Sequence, residues 1–348
     1  MTDSDRFAQL DPQDMRGQID GLPGQLEQGW ELGMRQALPE GPRPPLVILA
    51  GMGGSAIGAD LVSAYLAPTC PVPLVVWRGY DLPASAGREA LVILSSHSGH
   101  TEETLSAFDA TRRSGARMLA ITTGGELARR CDLEGLPVWR FEHHGQPRAA
   151  VGFSFALILA ALHRLGLAPE ATGDILAAAE AMRLQQNELR AEVPVARNPA
   201  RRMAGQFIDR LPLIIAGGLL APVARRWRTQ IAEVAKAVAQ FEELPEADHN
   251  MIAGVGHPEA LITRTMAIFL RASLDLPRLA ARVEATRQVL MVEGFNTDVI
   301  EAAGETRLAQ QWTCLHYGDY VAYYLAMMYG VDPTPVAAIE DLKRRLRG

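Results

Sequence analysis

Three stretches of this chain repeat one layout: an apolar run, a turn of small residues, then a segment with helical periodicity. They are PLVILAGMGGSAIGADLVSAYL, LVILSSHSGHTEETLSAFDATRRSG and ARMLAITTGGELARRC. An unbroken apolar run of four to six residues suits a strand buried on both faces, as strands in parallel sheets are. Strands alternating with helices at this spacing require a parallel, doubly wound sheet, which takes its ligands at the carboxyl ends of the strands. VPLVVWRGYDLP adds a further strand with its exit loop. The layout returns in LPLIIAGGLLAPVARRWRTQIAEVAKAVA, so two similar sheets in tandem are expected.

The connecting segments set the expected domains. Met15, Ile19, Leu22, Leu26, Trp30, Met34 and Leu38 recur at helical intervals and end at the breaker run PEGPRPP, giving a helical lead-in over 1–42. A first α/β domain follows over 43–165. A helical linker over 166–195 closes at EVPVARNP, and a second α/β domain with a helical tail fills 196–348. Within the second domain, ALITRTMAIFLRA and RQVLMVEG read as strands and LHYGDYVAYYLAMMYG as a helix.

Composition narrows the function. A net charge of −6 with no basic stripe interleaved with aromatics argues against nucleic acid as a partner, and an anionic ligand would need local donors. No apolar run reaches the roughly 18 residues a membrane helix needs, so no membrane partner is expected. The opening MTDSDRFAQLDPQD lacks the regions of a signal peptide, so a cytoplasmic location is expected. Cys70, Cys131 and Cys314 show no ligand spacing and read as reduced structural thiols. The histidines form no HxH or HxxxH pair, although His143 and His144 are adjacent, so no dedicated metal site is expected. Among 34 basic residues only Lys236 and Lys343 are lysine. A lysine kept against that bias either marks a place where a compact ammonium serves and a planar guanidinium does not, or survives by chance.

The chemistry lies in the turns. Gly53, Gly54 and Ser55 sit between a strand and a helix, where a helix N-terminus offers unpaired N–H groups to an anion. This turn fits a dinucleotide fingerprint as well as a sugar phosphate. The dinucleotide version requires an acidic residue ending the next strand, and that position is Arg78. Ser96, Ser98 and Thr101 surround Gly99 at a second strand-to-helix handover, and three hydroxyls with helix-terminal amides can hold a phosphate dianion without lysine.

Both loops, together with QPRAAVGF, WRTQIAEVAK, ADHNMIAG and YGDYVAYYLAMMYGVDPTP, resemble the SIS (sugar isomerase) domain family, and most of all its bifunctional phosphoglucose/phosphomannose isomerases. The resemblance implies two tandem flavodoxin-like SIS domains and a homodimer with shared active sites, acting on a small sugar phosphate. It implies aldose–ketose isomerisation through a cis-enediol without metal or organic cofactor, between glucose 6-phosphate or mannose 6-phosphate and fructose 6-phosphate. Ser55, Ser96, Ser98 and Thr101 would hold the phosphate, with the Gly53–Gly54 turn. Glu233 would be the base, Arg148 would stabilise the enediolate, His249 would assist ring opening, and Lys343 would reach the sugar ring. The types suit the roles: a carboxylate shuttles a carbon-bound proton, a guanidinium stabilises an oxyanion, and an imidazole titrates near neutrality.

Three positions depart from the family pattern. His97 and His100 stand where Tyr and Asn are usual, and Met251 where Glu follows His-Asn. They leave substrate preference open. The alternative function is a sugar-phosphate sensor that uses the same cradle without turnover.

Overall fold

The structure, a computed structural model, describes residues 3–347. The first three helices are α1 (Asp3–Leu10), α2 (Met15–Asp20) and α3 (Leu22–Arg35). Next come β1 (Val47–Gly51), α4 (Gly53–Leu66), β2 (Leu74–Trp77), β3 (Leu91–Ser95), α5 (Glu102–Ser114), β4 (Arg117–Thr122), α6 (Gly125–Glu134) and β5 (Val138–Arg140). Helices α7 (Val151–Arg164), α8 (Thr172–Leu189) and α9 (Pro199–Phe207) precede β6 (Leu211–Gly217), α10 (Ala221–Val234), β7 (Gln240–Leu244), α11 (Glu259–Ile262) and β8 (Thr265–Arg271). The chain ends with α12 (Pro277–Val292), β9 (Asn296–Glu301), α13 (Arg307–Tyr329) and α14 (Ala337–Arg347).

Two compact units form. The first holds residues 21–183 and 303–312; the second holds the described residues up to 20, 184–302 and those from 313 onward. Each contains one all-parallel sheet, ordered β2-β1-β3-β4-β5 in the first and β7-β6-β8-β9 in the second. Strands β1 and β3 are buried along their whole length, as their unbroken apolar runs require. They are neighbours whose connections leave in opposite directions, which opens a crevice at their carboxyl ends.

In the first unit Ile48, Val92, Leu94, Phe108, Met118 and Leu127 anchor the core on one face of the sheet. Helix α3 packs on α7 so closely that a methyl on Gly33 would stand 2.6 Å from the Ala160 Cβ. In the second unit Ile215, Leu244, Phe269, Val283 and Leu290 form the core.

One expectation fails. RQVLMVEG is not a strand: Arg287–Val292 end helix α12, and the strand that follows is NTDVIE. The apolar run misleads because only Leu290 of it is buried, while Val292 is 85% exposed. Strand β9 pairs on one side only, with β8, so it lies at a sheet edge, half-buried except for the exposed Glu301. The short β5 and charged β7 are edge strands of the same kind.

Helix α13 carries a buried polar seam in the second unit. His316 is fully buried and its Nε2 pairs with the Ile19 carbonyl at 3.0 Å. Burial drives its pKa down to about 4, against the pull of that carbonyl. The sign follows. As pH falls from about 6.5 toward 4, the unfolded chain takes up a proton that the folded chain refuses, so folding stability drops by up to about 3 kcal/mol. Above pH 7 this group contributes no slope. Urea titrations at pH 7 and pH 4.5 should show a smaller loss for His316→Gln than for the wild-type chain; an equal loss would refute this assignment.

Candidate functional site

The crevice between β1 and β3 receives both turns singled out above. Strand β1 delivers Gly53, Gly54 and Ser55 to the first turn of α4, whose N-cap is Met52 and makes no side-chain capping bond. Strand β3 delivers Ser96 to Thr101. Thr101 is the N-cap of α5, yet its side chain does not cap the helix. The Ser96 hydroxyl instead donates to Thr101 Oγ1 at 3.0 Å and accepts from the Gly99 N–H at 3.2 Å. Ser98 Oγ accepts from the His100 N–H at 3.2 Å. The hydroxyls therefore organise the loop and do not cap the helix. Ser96 is 2% exposed and shapes the loop from within, whereas Ser98 is exposed and Thr101 half-buried.

A second loop, overlooked in the sequence, holds this one in place. Thr123 Oγ1 donates to the His97 carbonyl at 2.7 Å, and the Leu127 N–H donates to the Gly99 carbonyl at 2.9 Å. Gly99 has φ +66°, and a Cβ there would stand 1.9 Å from the Gly124 carbonyl oxygen; a Cβ on Gly125 would stand 2.2 Å from the Ser98 carbonyl oxygen. The signal was present as TTGG after a buried run, but nothing local tied it to the other loop. Gly99→Ala must separate the two backbones and strain φ. It is expected to raise KM for a sugar phosphate by about 10- to 100-fold, the effect of losing roughly 1.4–2.7 kcal/mol of binding. Steady-state kinetics check this; an unchanged KM would dissociate the loop contact from phosphate binding.

Arg148 joins the same neighbourhood. It lies in the 3-10 turn Pro147–Ala149 and is 4% exposed. Gly54 lets this turn approach, since a Cβ there would stand 2.7 Å from the Pro147 carbonyl oxygen and 3.2 Å from Arg148 Cα. Gln25 on α3 fixes the turn from behind, donating to the Ala149 carbonyl at 2.7 Å in a buried bond. Gln25 was invisible as a site residue because it lies 124 positions away in sequence.

The first histidine of the loop has a specific environment. His97 Nε2 lies 3.0 Å from His143 Nδ1, so one ring N–H donates to the other, and the two rings meet edge to face. Phe141 borders His97 and Phe153 borders His143. Burial, then the His143 charge, lowers His97 to about 4, and burial also lowers His143. Both rings are neutral at pH 7. His100 is exposed.

The second unit contains Glu233, His249 and Lys343. Glu233 is half-buried in the last turn of α10. His249 is exposed at the end of the 3-10 turn Glu246–His249, which Asp248 anchors to α12 by accepting from Arg282 Nη1 and Thr286 Oγ1, each at 2.7 Å. Lys343 is exposed on α14. Met251 packs against the second unit's core, a sufficient reason for an apolar residue there. The glycine turn after β6 does not repeat the cradle. Leu279 fills it, with Cδ1 2.8 Å from where a Gly217 Cβ would stand.

Thus the structure brings Gly53, Gly54, Ser55, Ser96, Ser98, Thr101 and Arg148 together on one unit, while Glu233, His249 and Lys343 belong to the other. Among the described residues no three His, Cys, Asp or Glu side chains cluster as metal ligands. None of the described helices is long and apolar enough to cross a membrane.

Residues 196–346 match the model for the bacterial phospho-glucose isomerase C-terminal SIS domain. A bifunctional phosphoglucose/phosphomannose isomerase of Caldicellulosiruptor bescii is 35% identical over 329 residues, covering 93% of this chain and 96% of the relative. The chain belongs to the bifunctional phosphoglucose/phosphomannose isomerase family. The Aquifex aeolicus member of that family is 30% identical over 302 residues, covering 86% of this chain and 90% of its own. A hypothetical protein of Thermus thermophilus has the same fold, with a TM-score of 0.76 at 17% identity over 99% of this chain and 94% of that one. The phosphoglucose/phosphomannose isomerase fold therefore extends over both parallel sheets, each with its flanking helices.

Proposed function

We propose that this chain interconverts glucose 6-phosphate and mannose 6-phosphate with fructose 6-phosphate. The observation that carries the reading is the loop after β3, whose hydroxyls bond within the loop instead of capping α5 and whose backbone is held by the TTGG turn, together with a buried Arg148 in the turn packed against Gly54. Membership of a family whose curated relatives carry both activities in their names supports the choice of substrates.

In this reading Ser55, Ser96, Ser98, Thr101 and the Gly53–Gly54 turn hold the 6-phosphate, Ser96 mainly by shaping its loop. His249 donates a proton to the ring oxygen while the C1 hydroxyl gives up its proton to solvent, and the hemiacetal opens to the aldehyde. Glu233 then takes the C2 proton of the open-chain aldose, and the electrons move to give a C1–C2 cis-enediolate whose charge Arg148 stabilises. A proton passes from the C2 hydroxyl to O1 of the enediolate, and the protonated Glu233 returns its proton to C1, leaving a ketone at C2 and a hydroxyl at C1. Lys343 contacts the sugar ring. Glucose and mannose 6-phosphates differ only in configuration at C2, the carbon made planar in the enediol, so one intermediate serves both. The scheme invokes no metal, the working form is a homodimer in which His249 is contributed across the subunit interface, and the enzyme works in the cytoplasm.

A coupled assay of the two aldose phosphates side by side, with and without chelator, tests the proposal. Fructose 6-phosphate should form from at least one, unaffected by chelator. Thermal stabilisation by both sugars without turnover would replace the isomerase with a sensor.

A further inference from the structure

Lys236 is one of only two lysines in a chain that otherwise uses arginine, and the proposed reaction gives it no part. It lies just beyond the end of α10 with φ +57°, a left-handed conformation that costs a side-chain-bearing residue roughly 1–2 kcal/mol and that glycine adopts freely. A lysine held there against that cost has its function in the side chain. The ammonium folds back to donate to the Glu233 carbonyl and also donates to the Pro333 carbonyl at 3.3 Å. Glu233 is the proposed base, and Pro333 lies in the short segment that leads into α14, the helix of Lys343. A single compact cation thus ties the turn under one proposed substrate-contacting residue to the approach of another, both within the second unit. Three donors on one nitrogen can converge on two carbonyls at this range, whereas the longer planar fork of arginine spreads its donors outward.

Packing does not account for the residue. Lys236 is exposed and lines an open cavity of about 540 Å³ with Asp209, Arg210 and Tyr329, so truncating it opens no buried void.

We infer that Lys236 is a positioning residue of the isomerase, holding the last turn of α10 and the segment before α14 in the register that proton transfer by Glu233 requires. This rests on the proposed function. The test is steady-state kinetics on both aldose phosphates for Lys236→Gly, Lys236→Met and Lys236→Arg beside the wild-type chain, with thermal melts of each. All three should lose about tenfold or more in kcat, since small misplacements of a catalytic group have effects of this size, with KM within about threefold because the phosphate cradle is untouched. Lys236→Gly should melt no lower than wild type, because glycine relieves the left-handed strain. A Lys236→Gly protein with wild-type kcat overturns the inference alone. A loss of kcat that only tracks a fall in melting temperature also overturns it, in favour of a structural role. A wild-type chain with no isomerase activity overturns both this inference and the function it rests on.

Discussion

Glu233→Gln is expected to lower kcat by about 10²- to 10⁴-fold with KM close to wild type, the loss typical of removing a positioned general base. Glutamine keeps the size and much of the hydrogen-bonding capacity of glutamate at this half-buried position, so the fold of α10 should persist. What it lacks is a lone pair basic enough to accept a proton from carbon. Lowering kcat while leaving KM unchanged is the signature of an interaction made only in the transition state. The most direct readout is proton NMR of glucose 6-phosphate in heavy water. Wild-type protein should exchange deuterium into C2 as it isomerises, and the variant should do neither at a comparable rate. A variant retaining more than about a tenth of wild-type exchange would move the base elsewhere and with it the mechanism.

The second large effect is on stability. Asp319→Ala should destabilise the protein by about 3–5 kcal/mol. Arg226 on α10 donates to Asp319 on α13 through Nε at 3.0 Å and Nη2 at 2.7 Å, and the two side chains are 2% and 1% exposed. Burial pushes the Asp319 carboxyl up while Arg226 pulls it down, so desolvation already consumes much of the attraction. Removing the acid alone leaves a guanidinium buried without its counter-charge. The pair itself is worth far less than that penalty, so a double variant, Arg226→Met with Asp319→Leu, should recover most of the loss. Urea denaturation of the wild type, Arg226→Met, Asp319→Leu and the double variant closes the cycle. Additive losses would show that the two residues act independently, contrary to the geometry. Because Arg226 and Glu233 share α10, the double variant also asks whether the buried pair matters to catalysis through that helix.

These two residues mark the limits of what could be read in advance. Glu233 came from a family likeness in WRTQIAEVAK, since a glutamate three positions before a lysine on a helix otherwise reads as an ordinary surface pair. In the structure the lysine donates to the backbone carbonyl of Glu233. Asp319 looked like one polar residue in the aromatic stretch LHYGDYVAYYLAMMYG, and its partner lies 93 positions earlier. Strands with unbroken apolar runs, such as VILAG and LVILS, were legible because burial on both faces leaves its mark in consecutive residues. Edge strands such as QFEEL and NTDVIE carry no such mark. The run RQVLMVEG misled for the opposite reason, being apolar and largely exposed on a helix.

For the proposed phosphate cradle, local sequence was enough to place three hydroxyls and a glycine at the end of a buried strand, because strand-to-helix turns depend on small residues close together in the chain. The alternation of strands and helices was likewise enough to call for parallel sheets. Tertiary structure alone decided how the cradle is held. The TTGG turn meets it backbone to backbone, Gln25 fixes the turn of Arg148, and His97 finds His143, each across tens of residues. It also decided that the second sheet, with its own glycine turn, has no cradle, because Leu279 fills that place. Contacts between segments distant in the chain leave no pattern in either segment alone, so their partners emerge only when the sheet brings them side by side.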